Sequence, residues 1–231
     1  MKLSDYLFYE DDWATIYCGD CLQIMPLMEP ESVDLVVTDP PYGIKYHRTT
    51  RSKGNITVNY AGGIYGKQWD EIFGDDHEFD PSPLFIFKNL ILWGANHYCQ
   101  RLPWSTGWLV WDKKRGGTTA QNFTGSDVEL AWSNVVTISK IFSYLWDGFK
   151  RDGEVGDHFH PVQKPIALME WCIKFVPTAK IILDPFIGSG TTLIAAKNLN
   201  RKSIGIEINP KYCTIAAKRL RQEVFDFRKT A

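Results

Sequence analysis

The sequence contains few cysteines, no long apolar run and no excess of positive charge. Its five cysteines show no disulfide-framework spacing, and the CxxC pair Cys18 and Cys21 lacks a second pair to complete a zinc site, so we expect no bound metal. No stretch approaches the ~20 apolar residues that span a bilayer, and the amino terminus is acidic where a signal peptide would be apolar. These absences predict a cytoplasmic protein that does not enter a membrane.

The formal net charge of −1 excludes a uniformly basic nucleic-acid-binding surface. Any contact with nucleic acid must therefore come from a local patch. Hydrophobic residues make up 44% and charged residues 23% of the chain, which is typical of a globular protein, and the length fits a single domain over residues 1–231. Aromatic residues make up 14%; we expect most of them to pack in the core, while some could stack on bases.

A short apolar strand followed by a rigid turn forms the first motif. Val33–Val37 is an apolar run bounded by turn-forming residues, which predicts a buried parallel strand. It leads into Asp39-Pro40-Pro41-Tyr42, where two prolines remove two N–H donors and force the backbone out of the sheet. A carboxylate, a carbonyl and an aromatic ring thus lie at a strand exit, the edge at which open α/β sheets bind ligands.

A second strand and turn lie far along the chain, and their aspartate, Asp184, is 145 positions after Asp39. Ile181–Leu183 predicts another buried strand, which ends in Asp184-Pro185-Phe186. A glycine turn comes next, in which the backbone can approach a ligand closely before a new helix begins. The turn and the helix start comprise Gly188, Ser189, Gly190, Thr191 and Thr192. No Gly-Lys-Ser/Thr sequence follows, which excludes a phosphate P-loop.

Together the two motifs resemble those of the DNA amino-methyltransferases that use S-adenosylmethionine (SAM). The resemblance is to the group in which Asp-Pro-Pro-Tyr precedes Asp-Pro-Phe-x-Gly-x-Gly, and it covers residues 13–220. It implies a circularly permuted order of the motifs on a Rossmann-like fold. The alternation of predicted strands and helices independently favours an α/β fold, doubly wound around a mainly parallel sheet.

The resemblance also implies a SAM pocket over the glycine turn. From the sequence alone, Asp20 is first interpreted as a helix N-cap, whereas Glu207 suits a ribose diol because it lies near the end of the predicted strand Ser203–Ile208. Lys164, just ahead of the predicted helix Ile166–Phe175, is expected beside the methionine carboxylate of SAM, where a cation is favourable. The residues assigned to the pocket are Asp20, Lys164, Asp184, Phe186, Gly188, Ser189, Gly190, Thr191, Thr192 and Glu207.

The predicted catalytic residues are Asp39, Pro40, Pro41 and Tyr42. An exocyclic amino nitrogen is a poor nucleophile because its lone pair is delocalised into the base. The Asp39 carboxylate and the Pro40 carbonyl could each accept one of its N–H bonds and aim the lone pair at the SAM methyl group, with Tyr42 stacked on the base. The base must first flip out of the duplex. If the two strands flank the switch point of the sheet, donor and acceptor pockets lie side by side.

Two segments are candidates for contact with double-stranded DNA. Residues 43–83 show weak periodicity and are predicted to form an inserted mobile loop whose basic end meets phosphates. The other segment is a turn-rich stretch after the predicted strand Trp108–Trp111, and a solvated turn explains it equally well. The candidate DNA-binding residues are Lys45, His47, Arg48, Arg51, Lys53, Lys113, Lys114 and Arg115. Residues 134–160 correspond to the family's sequence-reading region and are shorter than usual.

Several alternatives stay open. Cytosine-N4 methylation uses nearly the same site, although aspartate at the first motif position favours adenine N6, as the resemblance implies. An RNA or protein acceptor fits the motif pair less well. A nicotinamide oxidoreductase would share the glycine turn and following acid, but leaves Asp39–Tyr42 unexplained. A non-catalytic nucleic-acid-binding module leaves both sites unexplained. The sequence also leaves open a homodimer, the recognition sequence and pairing with a restriction nuclease.

Overall fold

The computed structural model describes residues 1–44, 72–114, 126–146 and 163–222, together with the backbone of 50–53 and 56–59. The strands in these ranges are β1 (Leu7–Glu10), β2 (Ala14–Cys18), β3 (Leu35–Thr38), β4 (Thr50–Lys53), β5 (Ile56–Asn59), β6 (Leu90–Trp93), β7 (Trp108–Asp112), β8 (Val128–Ser133), β9 (Lys140–Ser143), β10 (Ile181–Asp184) and β11 (Lys202–Glu207). The α-helices are α1 (Cys21–Ile24), α2 (Ile166–Ile173), α3 (Thr191–Asn198) and α4 (Pro210–Arg221).

Nine of the described strands form one sheet in the order β1-β2-β11-β10-β3-β6-β8-β7-β9. Its centre, from β2 to β6, is entirely parallel, and antiparallel partners are added at both sides. From the central pair the chain moves outward in opposite directions, from β3 to β6 and from β10 to β11. The boundary between β3 and β10 is therefore the switch point of the sheet.

Both faces of the central strands are covered, which explains their continuous apolar sequences. In β3, Val36 packs with the cluster beneath α1 and the 3-10 helix Ser82–Ile86, whereas Leu35 and Val37 face the cluster under α2 and α3. Helix α4 covers the β2 side of this second face. Successive side chains of each central strand thus pack into two apolar layers, one on each face of the sheet. The predicted doubly wound, mainly parallel α/β fold is confirmed.

Local signals explain where the helices begin. Asn209 accepts a hydrogen bond from the Lys211 N–H at 3.0 Å and is followed by Pro210, so the predicted cap and first-turn pair of α4 is present. Asp20 caps α1 through the Leu22 N–H at 2.9 Å. None of the helices within the described ranges combines the length and apolar character needed to cross a bilayer.

Three elements differ from the sequence prediction. The edge strands β1 and β9 were not predicted; each is largely exposed and has one partly buried residue, Tyr9 or Phe142, which is too little for a recognisable alternation. Within the segment 43–83, expected to lack regular structure, β4 and β5 pair in an antiparallel hairpin. Lys45, His47 and Arg48, Arg115 and most of 134–160 lie outside the described residues, and Arg51 and Lys53 are described only as backbone of β4.

Candidate active site

The two Asp-Pro turns lie side by side at the carboxyl edge of the sheet. β10 and β3 pair in parallel, with Ile182 opposite Leu35 and Leu183 opposite Val36. Asp184 ends β10, and the last residue of β3, Thr38, donates its hydroxyl to Asp184 Oδ1 at 2.6 Å. The predicted adjacency of the two motifs across the switch point is therefore confirmed, despite their separation in sequence.

Asp184, at the end of β10, forms hydrogen bonds with residues of β3 and α3. Besides the Thr38 hydroxyl, its carboxylate accepts the Thr192 hydroxyl at 2.6 Å and the Phe186 N–H at 3.0 Å. The side chain is buried, and burial raises the pKa of Asp184 to about 6, although the hydrogen bonds to Thr192 and Thr38 oppose the shift. Among the residues assigned to the SAM pocket, Asp184 and Thr192 thus fix the glycine turn against β3.

The glycine turn faces Glu207 at the end of β11. Glu207 accepts the Gly188 N–H at 3.0 Å through Oε2 and the Asn209 N–H at 2.8 Å through Oε1. Burial raises its pKa, and these two backbone donors work against that shift. Gly190 has a φ of 83°, and a Cβ there would lie only 2.8 Å from the Cβ of Ala216, so α3 and α4 approach closely at this point.

The structure also places Ser189, Thr191 and Asp20, which the sequence assigned to the SAM pocket. Ser189 is buried and its carbonyl accepts an N–H of Arg219 at 2.7 Å. Thr191 begins α3 and is also buried. Asp20 takes the helix-cap role that the sequence had suggested first, while its neighbours Gly19 and Cys21 line the cavity described below.

A chain of four alternating charges begins at Asp39. The Lys164 ammonium contacts Asp39 Oδ2 and lies 3.0 Å from Glu129 Oε2, and Lys113 Nζ lies 3.0 Å from Glu129 Oε1. Lys164 has a side chain only 6% exposed, and Asp39 is 12% exposed. Lys164 was predicted beside the SAM methionine carboxylate and Lys113 beside DNA phosphate. In the structure Asp39 and Glu129 both pair with Lys164, and Glu129 also pairs with Lys113. A buried ammonium requires such a counter-charge. The predicted contacts of the two lysines with SAM and DNA stay predictions.

The sequence prediction missed Glu129 as a site residue. Glu129 lies on β8 opposite Trp111 of β7, and its side chain is 25% exposed. Burial would raise the pKa of its carboxyl, yet Lys164 and Lys113 hold it at about 2. Glu129 is the single carboxylate in the sequence of β8 and was the available signal, but the sequence does not indicate which residue of another element pairs with it.

Tyr42 lies against residues that follow β6. Its ring stacks on His97 with the ring centroids 4.7 Å apart and an angle of 4° between the planes. Its hydroxyl donates to Asp39 Oδ1 at 3.3 Å. Gly94 has a φ of 68°, and a Cβ at this position would overlap the Tyr42 ring. Gly94 is therefore required both by the backbone conformation and by the position of the ring.

One cavity of about 710 Å³ joins these groups. Its lining includes Glu207, Gly188 and Phe186 from the second motif and Asp39, Pro40 and Tyr42 from the first. Glu129, Lys164 and Trp111 line it as well. The volume lies within the ~300–1,000 Å³ of ordinary ligand pockets. A carboxylate at one end and an Asp-Pro-Pro-Tyr turn at the other can therefore act on ligands held in the same enclosure.

An open α/β sheet with two Asp-Pro turns joined in one cavity at its switch point defines a Rossmann-like methyltransferase fold. The family model of the N6 and N4 methyltransferases, described as DNA methylase, matches residues 85–218. This match covers more than half of the sequence, and the chain belongs to that DNA methylase family. The resemblance drawn from the two motifs is confirmed.

Individual relatives align over most of the chain. Type II methyltransferase M2.DpnII of Streptococcus pneumoniae is 27% identical over a gapped alignment of 258 positions, which spans 94% of this chain and 92% of the relative. The structure of an M1.HpyAVI–SAM complex has a TM-score of 0.50 at 24% identity and covers 89% of this chain and 99% of its own. The cytosine-N4-specific PvuII DNA methyltransferase has a TM-score of 0.60 at 15% identity, with coverages of 96% and 91%. At these identities the two structures establish the fold.

Proposed function

We propose that this DNA methylase transfers the methyl group of SAM to the exocyclic N6 of a flipped adenine in double-stranded DNA. The observation that carries the proposal is the shared cavity, in which Asp39, Pro40 and Tyr42 face the glycine turn across the switch point. Aspartate at the first position of the Asp-Pro-Pro-Tyr motif favours adenine over cytosine.

The residues around the glycine turn fit SAM. Glu207 lines the cavity, and each of its two carboxylate oxygens retains a lone pair beyond those used by the Gly188 and Asn209 N–H groups, so the hydroxyls of a ribose have an acceptor. Phe186 offers an apolar ring at the same wall, suited to a purine. When bound, SAM supplies an electrophilic methyl group; orientation of that group and of the acceptor falls to the protein.

The first motif fits the acceptor. Asp39 Oδ1 and Oδ2 are both engaged, but a carboxylate has about four acceptor positions and can take a further N–H from an amino group. The Pro40 carbonyl supplies a second acceptor on a residue that has no N–H of its own. With both N–H bonds held, the nitrogen lone pair points out of the ring plane, towards the methyl donor. Tyr42 provides an aromatic face for the flipped base.

Binding of DNA is proposed to depend on the segment that leaves the first motif. Asp75 accepts the Gly43 N–H at 3.0 Å and the Ile44 N–H at 3.1 Å. The residues at the two ends of this segment, Ile44 and Asp75, therefore lie together beside the proposed catalytic turn. The basic residues of the segment are the proposed phosphate contacts. We propose that the protein acts in the cytoplasm, where its DNA substrate lies. We also propose a homodimer, which light scattering after gel filtration would test.

The decisive experiment incubates the purified protein with isotope-labelled SAM and unmethylated DNA, then digests the DNA and identifies the nucleosides by mass spectrometry. N6-methyladenine is the expected product. N4-methylcytosine would mean that the same mechanism acts not on adenine but on cytosine, the base that the name of the cytosine-N4-specific neighbour states. Asp39→Ala provides the inactive comparison, and Asp12→Ala, at an exposed carboxylate distant from the motif in sequence, provides the matched active control. Absence of any methylated base with the unaltered chain would contradict the proposal.

A further inference from the structure

Lys164 and Glu129 form a charged pair behind Asp39 that the acceptor chemistry described above does not use. Lys164 lies two residues ahead of α2, and Glu129 lies on β8, so two distant elements bring the pair together. The Lys164 ammonium contacts Asp39 Oδ2 on one side and lies 3.0 Å from Glu129 Oε2 on the other. Both residues line the cavity.

The pair is arranged so that each buried charge has a counter-charge. An isolated ammonium as deeply buried as Lys164 would be strongly unfavourable, and the Asp39 carboxylate faces the same penalty. Lys113 supplies the second cation beside Glu129, which makes the four-residue chain neutral in total. Removing either Lys164 or Glu129 leaves one of the remaining charges without its counter-charge.

We propose that Lys164 and Glu129 are positioning residues for methyl transfer, with Lys164 holding the Asp39 carboxylate ionised and oriented and Glu129 holding Lys164 in place. This inference rests on the proposed function, because it concerns the carboxylate that accepts the amino N–H. Neither residue touches the reacting atoms. Their contribution is to keep an acceptor charged within an apolar enclosure, where a protonated carboxyl would have one oxygen fewer to offer the amino group.

The electrostatics of the cluster agree with these roles. Burial raises the pKa of Asp39, Lys164 lowers it, and Glu129 raises it. The other groups facing Asp39 are Tyr42, which donates to it, and Asp184 and Tyr98, whose own pKa values are raised by burial and by the negative charge of Asp39. Burial lowers the pKa of Lys164, but Asp39 and Glu129 outweigh burial and raise it well above its usual value, so Lys164 stays charged.

The two residues should therefore move the pH profile of methyl transfer in opposite directions. The active form has Asp39 ionised, so the rate falls on the acidic side as Asp39 is protonated. In Lys164→Met that acidic limb is expected at higher pH, with a loss of about tenfold for each unit by which the Asp39 pKa exceeds the assay pH, and with recovery in alkaline buffer. In Glu129→Gln the limb is expected at lower pH, because the carboxylate that raised the Asp39 pKa is gone.

The test measures single-turnover methyl transfer from about pH 5 to about pH 10, SAM affinity by calorimetry, and the titration of the Asp39 carboxyl carbon by NMR. Lys164→Arg keeps the charge and should keep the wild-type limb at a reduced rate. Lys174→Met removes a lysine that is 61% exposed beyond α2 and is the matched control, with an unchanged profile. Unchanged SAM affinity in Lys164→Met would show that the fold and donor pocket persist.

Several results would overturn the inference. One is a uniform loss of rate at every pH in Lys164→Met, which a purely structural role would produce. Another is loss of SAM affinity in that variant, which would return Lys164 to the donor pocket. If the unaltered protein methylates no base, the proposed function fails instead, and the NMR titration still decides the inference: the Asp39 pKa must rise in Lys164→Met and fall in Glu129→Gln.

Discussion

At the residue scale, Asp39 is the group on which the proposed acceptor chemistry depends. Its two oxygens have different partners, since Tyr42 donates to Oδ1 and Lys164 contacts Oδ2. The end of β3 before Asp39 and the two prolines after it fix the backbone, which restricts the orientation of the carboxylate. A side chain held from both sides can accept a hydrogen bond from an incoming amino group without reorganising.

Asp39→Ala is expected to abolish methyl transfer and leave SAM binding intact. Truncation removes one of the two proposed N–H acceptors, whereas the glycine turn and Glu207 belong to the other end of the cavity. A fall in rate of at least ~100-fold is anticipated, comparable to the loss of one preorganised electrostatic contact. Methylation rate and SAM affinity are measured on the same preparation. Loss of SAM binding would mean that Asp39 also supports the donor pocket.

Gly94→Ala is expected to destabilise the protein and displace Tyr42. The φ of 68° costs any non-glycine residue about 1 kcal/mol or more, and the new Cβ would additionally overlap the Tyr42 ring. Gly74→Ala is the matched control, because Gly74 has a φ of 79° but a Cβ there would meet only Pro41 Cγ at 3.4 Å. Urea unfolding and methylation rate should separate the two variants: both lose stability, and Gly94→Ala alone loses most activity. Equal activities would argue against a role for the position of the Tyr42 ring.

At the scale of elements, Asp184 joins β3, β10 and α3 through the Thr38 and Thr192 hydroxyls. Its pKa of about 6 lies above the ordinary value of 3.8. Between these values the folded state binds more protons than the unfolded state, so this residue's contribution makes the protein less stable as pH rises through that window. The shift corresponds to about 3 kcal/mol in total.

Asp184→Asn is expected to remove this pH dependence. The amide is neutral throughout, and the two hydroxyls can rotate to accept from it as well as donate to it. The free energy of unfolding of the wild type minus that of the variant should therefore fall between about pH 4 and about pH 6 and level off above it. Measuring the difference cancels the contributions of other buried acids such as Glu207. A difference that is constant across the window would contradict the raised pKa.

The sequence predicted the elements of the fold better than it predicted the contacts between them. Central strands such as β3 and β10 are buried on both faces and therefore have unmistakable apolar runs. The largely exposed edge strands β1 and β9 have no such signal, since their pairing is set by the neighbouring strand.

The same limit applies to the site. The two Asp-Pro motifs were recognisable because each is a local sequence at a strand exit. The pairing of Lys164 with Asp39 and Glu129 was not, because it joins three segments that only the tertiary fold brings together. Partners of a buried charge are set by geometry, and a sequence pattern reports only that a charge is present.

At the scale of the whole molecule, a chain of net charge −1 has to approach a polyanion. Attraction must come from cations concentrated at one place. Lys113 and Lys164 are expected to contribute little to it, because Glu129 and Asp39 pair with their charges in the cavity. The segment that starts at Gly43 and returns at Asp75 begins with a basic sequence and is the candidate we test first; Lys114 and Arg115 also stay predicted contacts.

Replacing Arg48 and Arg51 together by alanine should therefore weaken DNA binding without changing SAM affinity. For each phosphate that the variant no longer neutralises, the slope of log affinity against log salt concentration should decrease by about one, equally for different DNA sequences. Lys202→Ala with Lys218→Ala is the matched control, because it removes the same charge from exposed positions on β11 and α4. Fluorescence anisotropy over a range of salt concentrations distinguishes the pairs. A parallel fall of affinity in both would mean that overall charge, and not this segment, brings the protein to DNA.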